Sequence, residues 1–186
     1  MSLLTIHPEI SPEQCQVVRD PDEISAALAK IGVSFERWDA ARDLADDADQ
    51  DTVLDAYRVP VERLKAQHGF KAADVISVKP DHPQREELRA KFLAEHTHAD
   101  FEIRFFVVGQ GLFYLHAKDQ VHVVWCQRGD LISVPPHVRH WFDMGECPSL
   151  TCIRLFTTPE GWVADFTGDP IAERFPRFDE YRALYA

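Results

Sequence analysis

His96-Thr97-His98, followed by Glu102 and, farther along, by His140 in Val134-Pro-Pro-His-Val-Arg-His140, offers three imidazoles and one carboxylate. Ring nitrogens with an anionic oxygen suit a borderline divalent metal such as iron, nickel, zinc, copper or manganese, and histidine is the commonest protein ligand of such ions. Four ligands of this kind leave two positions open on an octahedral ion, where substrate or oxygen can bind directly.

The spacing sets a geometric demand. Residues i and i+2 of a strand share a face, so His96 and His98 can reach one ion together. Glu102 has the same parity, but six residues of straight strand span about 20 Å, too far for one metal. The chain must therefore turn in Ala99-Asp100-Phe101 and bring Glu102 back on the next strand, with His140 arriving from a third. A strand that begins at Glu102 puts Arg104 and Phe106 on the ligand's face and points Ile103 and Phe105 away. An arginine in a barrel interior needs a partner. It either forms a structural ion pair with Glu102 or another acid, or serves to attract an anionic substrate.

The elements that must position these residues follow from patterning. Residues 20–90 read as mainly helical. Asp20-Pro21 supplies an N-cap and a first-turn proline, Glu23 sits at the capping-box position, Ile24, Leu28 and Ile31 repeat at helical spacing, and Gly32 ends the run. An extended piece at Val33–Trp38 precedes a helix opened by Pro60 and closed by Gly69. A strand follows at Asp74–Lys79, then a helix from Pro83 carrying Leu88 and Phe92. The acidic segment Asp43–Asp51 is a solvated loop and helix entry, with a calcium site as its alternative. From residue 95 to 157 six apolar runs, Ile103–Val108, Gly111–His116, Val121–Cys126, Leu131–Val134, His140–Asp143 and Leu150–Phe156, are separated by turn residues such as Lys118-Asp119 and Arg128-Gly129. Short strands with turns between them predict an antiparallel barrel or jelly roll. Residues 158–186 form a tail rich in aromatics and proline, ending in a helix at Phe178–Tyr185.

Composition bounds the function. At 186 residues the chain is expected to form one domain that buries about 70% of its unfolded surface. A net charge of -11 argues against nucleic acid or an anionic membrane as partner, since both need a basic face. No stretch has the apolar length to span a bilayer, and the first residues lack the basic and apolar regions of a signal peptide. Cys15, Cys126, Cys147 and Cys152 form no CxxC pair, so reduced thiols in a cytoplasmic protein are expected; a zinc site on Cys147 and Cys152 is the alternative.

The pattern resembles the cupin superfamily. The first cupin motif falls on His96, His98, Glu102 and Gly109, and the second on Gly129, Pro135 and His140. His137 stands where many cupins carry glycine, and Met144 where they often carry asparagine. Within the superfamily the chain is similar to the acireductone dioxygenases of bacterial methionine salvage. The carriers are Glu95 through Gly109, Gly129 through His137, His140-Trp-Phe-Asp-Met-Gly145, Ile153-Arg-Leu-Phe156, Pro159-Glu-Gly-Trp-Val163 and Phe166-Thr-Gly-Asp169.

The resemblance implies a mostly β fold with helices: a cupin or jelly-roll antiparallel β-barrel with an α-rich N-terminal part packed on it. A single cupin domain would cover residues 1–186, α-rich to about 94, barrel over about 95–157, tail over about 158–186. It implies His96, His98, Glu102 and His140 as ligands of one Fe(II) or Ni(II) per chain. The substrates would be 1,2-dihydroxy-3-keto-5-methylthiopentene and O2. Iron would give 2-keto-4-methylthiobutanoate and formate, and nickel 3-methylthiopropanoate, formate and carbon monoxide. Arg104 would attract the anionic enediolate and favour loss of its protons. Phe142 would form an apolar wall for the methylthio tail, with ordinary core packing as its alternative; Trp162 would line the same pocket; and Glu95 would orient a histidine or assist metal loading, with a plain surface acid as its alternative. Many relatives carry an acid immediately before the ligand glutamate, where this chain has Phe101. The expected protein is a cytoplasmic monomer acting on a small molecule. His7, His68, His82, His116 and His122 are expected to be ordinary residues, and His137 a hydrogen-bonding one. Two alternatives remain: a non-catalytic metal-binding cupin sensor, which needs no Arg104, and a cupin-type isomerase or hydrolase, which consumes no oxygen.

Overall fold

Leu3 and Leu4 enter the fold side by side yet face opposite ways, each into a different apolar cluster, and the whole architecture follows that plan. The structure, a computed structural model, describes residues 1–42, 44–45, 47–158 and 162–186. Twelve strands form two sheets among the described residues: β1 (Leu3–Pro8), β2 (Gln16–Val18), β3 (Ser34–Arg37), β4 (Ala72–Val78), β5 (His96–Thr97), β6 (Glu102–Val108), β7 (Gln110–Ala117), β8 (Gln120–Gln127), β9 (Asp130–Val134), β10 (Arg139–Asp143), β11 (Leu150–Phe156) and β12 (Asp165–Phe166). One sheet runs β12-β5-β10-β7-β8-β1-β2 and the other β3-β9-β6-β11-β4. All pairings are antiparallel. This is the jelly-roll barrel that the strand pattern predicts.

The central strands β6 to β10 are buried on both faces, which is why they are apolar without clean alternation. The barrel interior holds Leu4, Phe106, Phe113, Leu115, Val124, Ile132, Phe142 and Cys152, and helix α1 (Pro21–Ala29) adds Ile24 and Leu28 to it. The outer face of the five-stranded sheet, with Ile103, Phe105 and Val107, is covered by helices α2 (Gln50–Ala56) and α3 (Arg58–His68) through Val53, Val61 and Leu64. The outer face of the seven-stranded sheet, with Tyr114, Trp125 and Trp141, is covered by Phe175 and by Phe178 and Tyr181 of helix α5 (Phe178–Tyr185). Helix α4 (Arg85–Leu93) packs on β10.

The caps act where the sequence places them, with small shifts. Asp20 accepts from the backbone N–H of Asp22 and Glu23 at 3.0 and 3.1 Å, and Gly69 closes α3 in the left-handed region at φ 76°, where a side chain would be strained. Helix α1 stops at Ala29, so Ile31 reaches the core from the turn beyond it. Helix α3 begins two residues before Pro60. Asp49 caps α2 by accepting from Thr52 N at 2.8 Å, which makes the end of the acidic segment a helix entry; Asp43 and Asp46 lie outside the described residues. Strands β1 and β2 have no counterpart in the sequence reading. β1 is largely buried on both faces and so shows no period-2 signal, and the three residues of β2 are too few to show one.

Candidate metal centre

The turn demanded by the His96–Glu102 spacing is present. Strand β5 ends at Thr97 in one sheet and β6 begins at Glu102 in the other. Asp100 fixes the corner: one oxygen accepts from Phe101 N at 2.7 Å, and the other from Thr157 N and Oγ1 at 2.9 and 2.7 Å. His140 arrives on β10 directly opposite His96. One ligand atom from each of His96, His98, Glu102 and His140 lies within 4.8 Å of every other, and all four residues are buried. No other group of three or more such residues gathers in this way among the described residues. Cys147 is exposed and Cys152 buried, both free thiols, and the alternative zinc reading gains no ligand set.

The three imidazoles share one orientation. Each Nδ1 faces a backbone carbonyl: His96 that of Ala94 at 2.7 Å, His98 that of Val163 at 2.9 Å, and His140 that of Val138 at 2.8 Å. A carbonyl only accepts, so each Nδ1 carries the proton and each Nε2 is turned to the centre. Glu102 Oε2 lies 2.9 Å from His98 Nε2 and 3.0 Å from His140 Nε2. Burial, helped by the neighbouring His140, depresses His96 to about 4, leaving it neutral at neutral pH. Burial works against charge on His98 too, but the bond to Glu102 outweighs it and raises its pKa. For Glu102 burial favours the neutral acid, and Arg104 with the two imidazoles overcomes it, holding the carboxyl well below the usual range. Ring nitrogens converging on an ionised carboxylate, each ring held from behind through Nδ1, fit a divalent metal.

Arg104 forms the ion pair with Glu102 that the sequence left open. Its Nε donates to Glu102 Oε1 at 2.8 Å, leaving Oε2 for the histidine side. Its Nη1 is buried and has no hydrogen-bond partner. The guanidinium carbon lies 4.6 Å from the ring centre of Phe142, 5.1 Å from Phe92, 5.4 Å from Phe113 and 5.7 Å from Trp162. Four aromatic rings thus surround a cation whose Nη1 is without a partner, Phe142 being the nearest of them. Gly111 makes room for it: a Cβ there would fall 2.3 Å from Phe142 Cζ.

Trp162 is half-buried, stacks on His98 at 5.9 Å with the planes 27° apart, and donates from Nε1 to Phe101 O at 2.8 Å. Its neighbours Pro159, Glu160 and Gly161, part of the segment read as family-specific, lie outside the described residues. Phe101 is 39% exposed and packs edge-on to Phe70 at 6.5 Å. His137 is exposed with φ 65°, and its N–H donates to His98 O at 2.9 Å. Histidine is among the side chains enriched in that left-handed region, which accounts for its standing in for glycine.

Glu95 is buried and accepts from His116 Nδ1 at 2.6 Å and from Thr167 Oγ1 at 2.7 Å, and it bonds no ring of the metal cluster. His116, read as ordinary, is buried beside Glu9 as well. The Glu95 bond, against burial, raises the pKa of His116. Burial favours neutral Glu95, and its bonds to His116 and Thr167 more than reverse that. No sequence spacing links residues 9, 95, 116 and 167, and only the sheet register joins them.

Comparison with known proteins agrees with this geometry. A family model described as the ARD/ARD' family matches residues 4–164. The acireductone dioxygenase of Methylococcus capsulatus is 63% identical over 186 residues, covering all of both chains. That of Aquifex aeolicus is 53% identical over 180 residues, covering 97% of this chain and 98% of its own. Among solved structures, an acireductone dioxygenase from Bacillus anthracis with a cadmium ion in its active centre superposes with a TM-score of 0.79 at 32% identity, covering 89% of this chain and 98% of its own.

Proposed function

Because the chain belongs to the ARD/ARD' family of acireductone dioxygenases, we propose that it cleaves 1,2-dihydroxy-3-keto-5-methylthiopentene with O2 in methionine salvage. His96, His98, Glu102 and His140 hold one Fe(II) or Ni(II). Iron leads to 2-keto-4-methylthiobutanoate and formate, nickel to 3-methylthiopropanoate, formate and carbon monoxide. The protein acts as one cupin domain over residues 1–186, as a cytoplasmic monomer. Supporting this reading, no helix among the described residues is long and apolar enough to cross a membrane, and the net charge of -11 disfavours polyanionic partners.

The observation that carries the reading is the buried Nη1 of Arg104, left without a partner beside a convergent donor set. A buried donor without an acceptor costs about 1–3 kcal/mol, and an enediolate oxygen supplies the acceptor. A bound divalent ion contributes Lewis acidity, orienting such a substrate and stabilising its negative charge. The chain does the rest. Arg104 favours the deprotonated substrate by its charge, and Glu102 keeps the guanidinium turned toward the centre through the Nε bond. Phe92, Phe113, Phe142 and Trp162 exclude water around it, which strengthens each charge interaction inside. Phe142 offers an apolar wall to the methylthio tail.

The test is reconstitution of metal-free protein. Iron-loaded protein is expected to consume O2 and give the keto acid and formate without carbon monoxide, and nickel-loaded protein from the same batch to release carbon monoxide. Alanine at His96, His98 or His140 is expected to remove most bound metal. Identical products from the two metals would end the metal-controlled scheme. No oxygen uptake with either would leave the isomerase or sensor readings.

A further inference from the structure

His96 and His98 depend on a strand that is short for its task. β5 has two residues, and its register comprises one pair with β10 and two with the equally short β12. Metal geometry needs ligands held within about 0.5 Å, and three ladder pairs at the margin of a sheet are a weak frame for that.

A buried polar cluster backs this strand on the outer face of the sheet. Leu115 faces the interior, so His116 beside it faces outward, directly opposite Arg139. His116 Nδ1 meets Glu95 Oε1 at 2.6 Å, while Nε2 meets Glu9 Oε2 at 3.1 Å and lies 3.2 Å from Arg139 Nη2. Glu95 immediately precedes His96, and Arg139 immediately precedes His140. One imidazole therefore touches, from behind, the two chain positions that launch opposed members of the ligand set: Nδ1–H donates to Glu95, and Nε2 either accepts from Arg139 or donates to Glu9. Thr167 Oγ1 completes Glu95 at 2.7 Å, and Arg174 Nη2 donates to Glu9 O at 2.6 Å, adding the C-terminal segment.

We propose that His116 is a positioning residue of the metal centre: through Glu95 and Arg139 it sets the distance between the His96 and His140 rings. The inference rests on the reading that these histidines hold the metal. It differs from a plain structural role in what it predicts for affinity.

The experiment measures the Kd of the metal-free full-length protein for Ni(II) by competition with a chromogenic chelator. His116→Ala is expected to weaken binding by about 10–100-fold, the range for residues that orient ligands from behind. His116→Asn, whose amide nitrogen can stand where Nδ1 stands, recovers most of the loss. Arg139→Leu removes one arm only, weakens binding by a smaller factor, and carries the comparison if the alanine variant does not fold. The control is Arg37→Ala, which strips a 2.8 Å partner from buried Asp130, four residues along β9 from Val134, the partner of Glu102; it lowers the melting temperature and leaves the Kd unchanged. Wild-type affinity in the His116 and Arg139 variants overturns the proposal, as does an equal loss in Arg37→Ala. If instead His140→Ala binds Ni(II) as tightly as wild type, the ligand assignment itself fails and this inference falls with it.

Discussion

Arg104→Ala separates the two jobs of one side chain, and the structure gives a size to each. In the metal-free protein the buried Glu102 carboxylate loses its guanidinium partner at 2.8 Å. Truncating one side of a buried pair costs about 3–5 kcal/mol because the other charge is stranded. For a chain of this length each kcal/mol shifts the melting temperature by about 2–4 °C, so the expected fall is roughly 6–20 °C. A bound divalent ion puts two positive charges next to the same carboxylate, so the fall shrinks in the metal-loaded form. For turnover, a guanidinium about 4 Å from an anionic oxygen contributes about 4 kcal/mol at an effective dielectric of 20. That is roughly a thousandfold in kcat/KM. The assays are calorimetric melting with and without metal, metal content, and the absorption of bound substrate, whose anionic form should diminish in the variant. A kcat/KM within a few-fold of wild type, or an equal melting loss with and without metal, refutes the argument.

Two further outcomes follow from packing and burial. Gly111→Ala drives a methyl group into the Phe142 ring, 2.3 Å from Cζ and 2.6 Å from Cε2, and overpacking of this kind costs about 1–3 kcal/mol. The double variant Gly111→Ala, Phe142→Leu recovers most of that in thermal melts, and simple additivity of the two losses would sink the idea. His122 is buried with Nδ1 unpartnered, and burial pushes its pKa from 6.5 down to about 4. Between those values the unfolded chain binds a proton that the folded ring refuses, so stability is full above pH 6.5 and falls as pH drops to about 4, by at most about 3 kcal/mol. In urea titrations His122→Leu loses that part of the acid slope; an unchanged slope rules it out.

Much of the site is legible in the sequence because parity and reach are strict. Two histidines at i and i+2, with a glutamate too far away along a straight strand, require a corner, and Asp100 makes it. Arg104 and Phe106 point with Glu102, and Ile103 and Phe105 away from it, as alternation demands. Helix ends are legible where a side chain or glycine acts locally, as Asp20 and Gly69 do. What depends on contacts distant in sequence is not. Glu95 finds His116 across twenty-one positions, and nothing in either neighbourhood announces it. Trp162 reaches His98 because the C-terminal segment folds back over β5, a path set by two register pairs with β12. The ion pair of Arg104 uses Nε alone and leaves Nη1 without a partner, a division that no sequence spacing announces.

The place of β1 in its sheet, between β8 and the edge strand β2, has a consequence during synthesis. Leu3–Pro8 pair with Gln120–Trp125 over six register positions, so the strand's main partner is made about 110 residues after it. At translation rates of about 5–20 residues per second the waiting time is on the order of 5–20 s. Throughout that interval Leu3, Leu4 and Ile6 have only the three-residue β2 beside them. Chain order therefore makes its pairing with β8 a late, long-range closure, the type of contact that slows folding most.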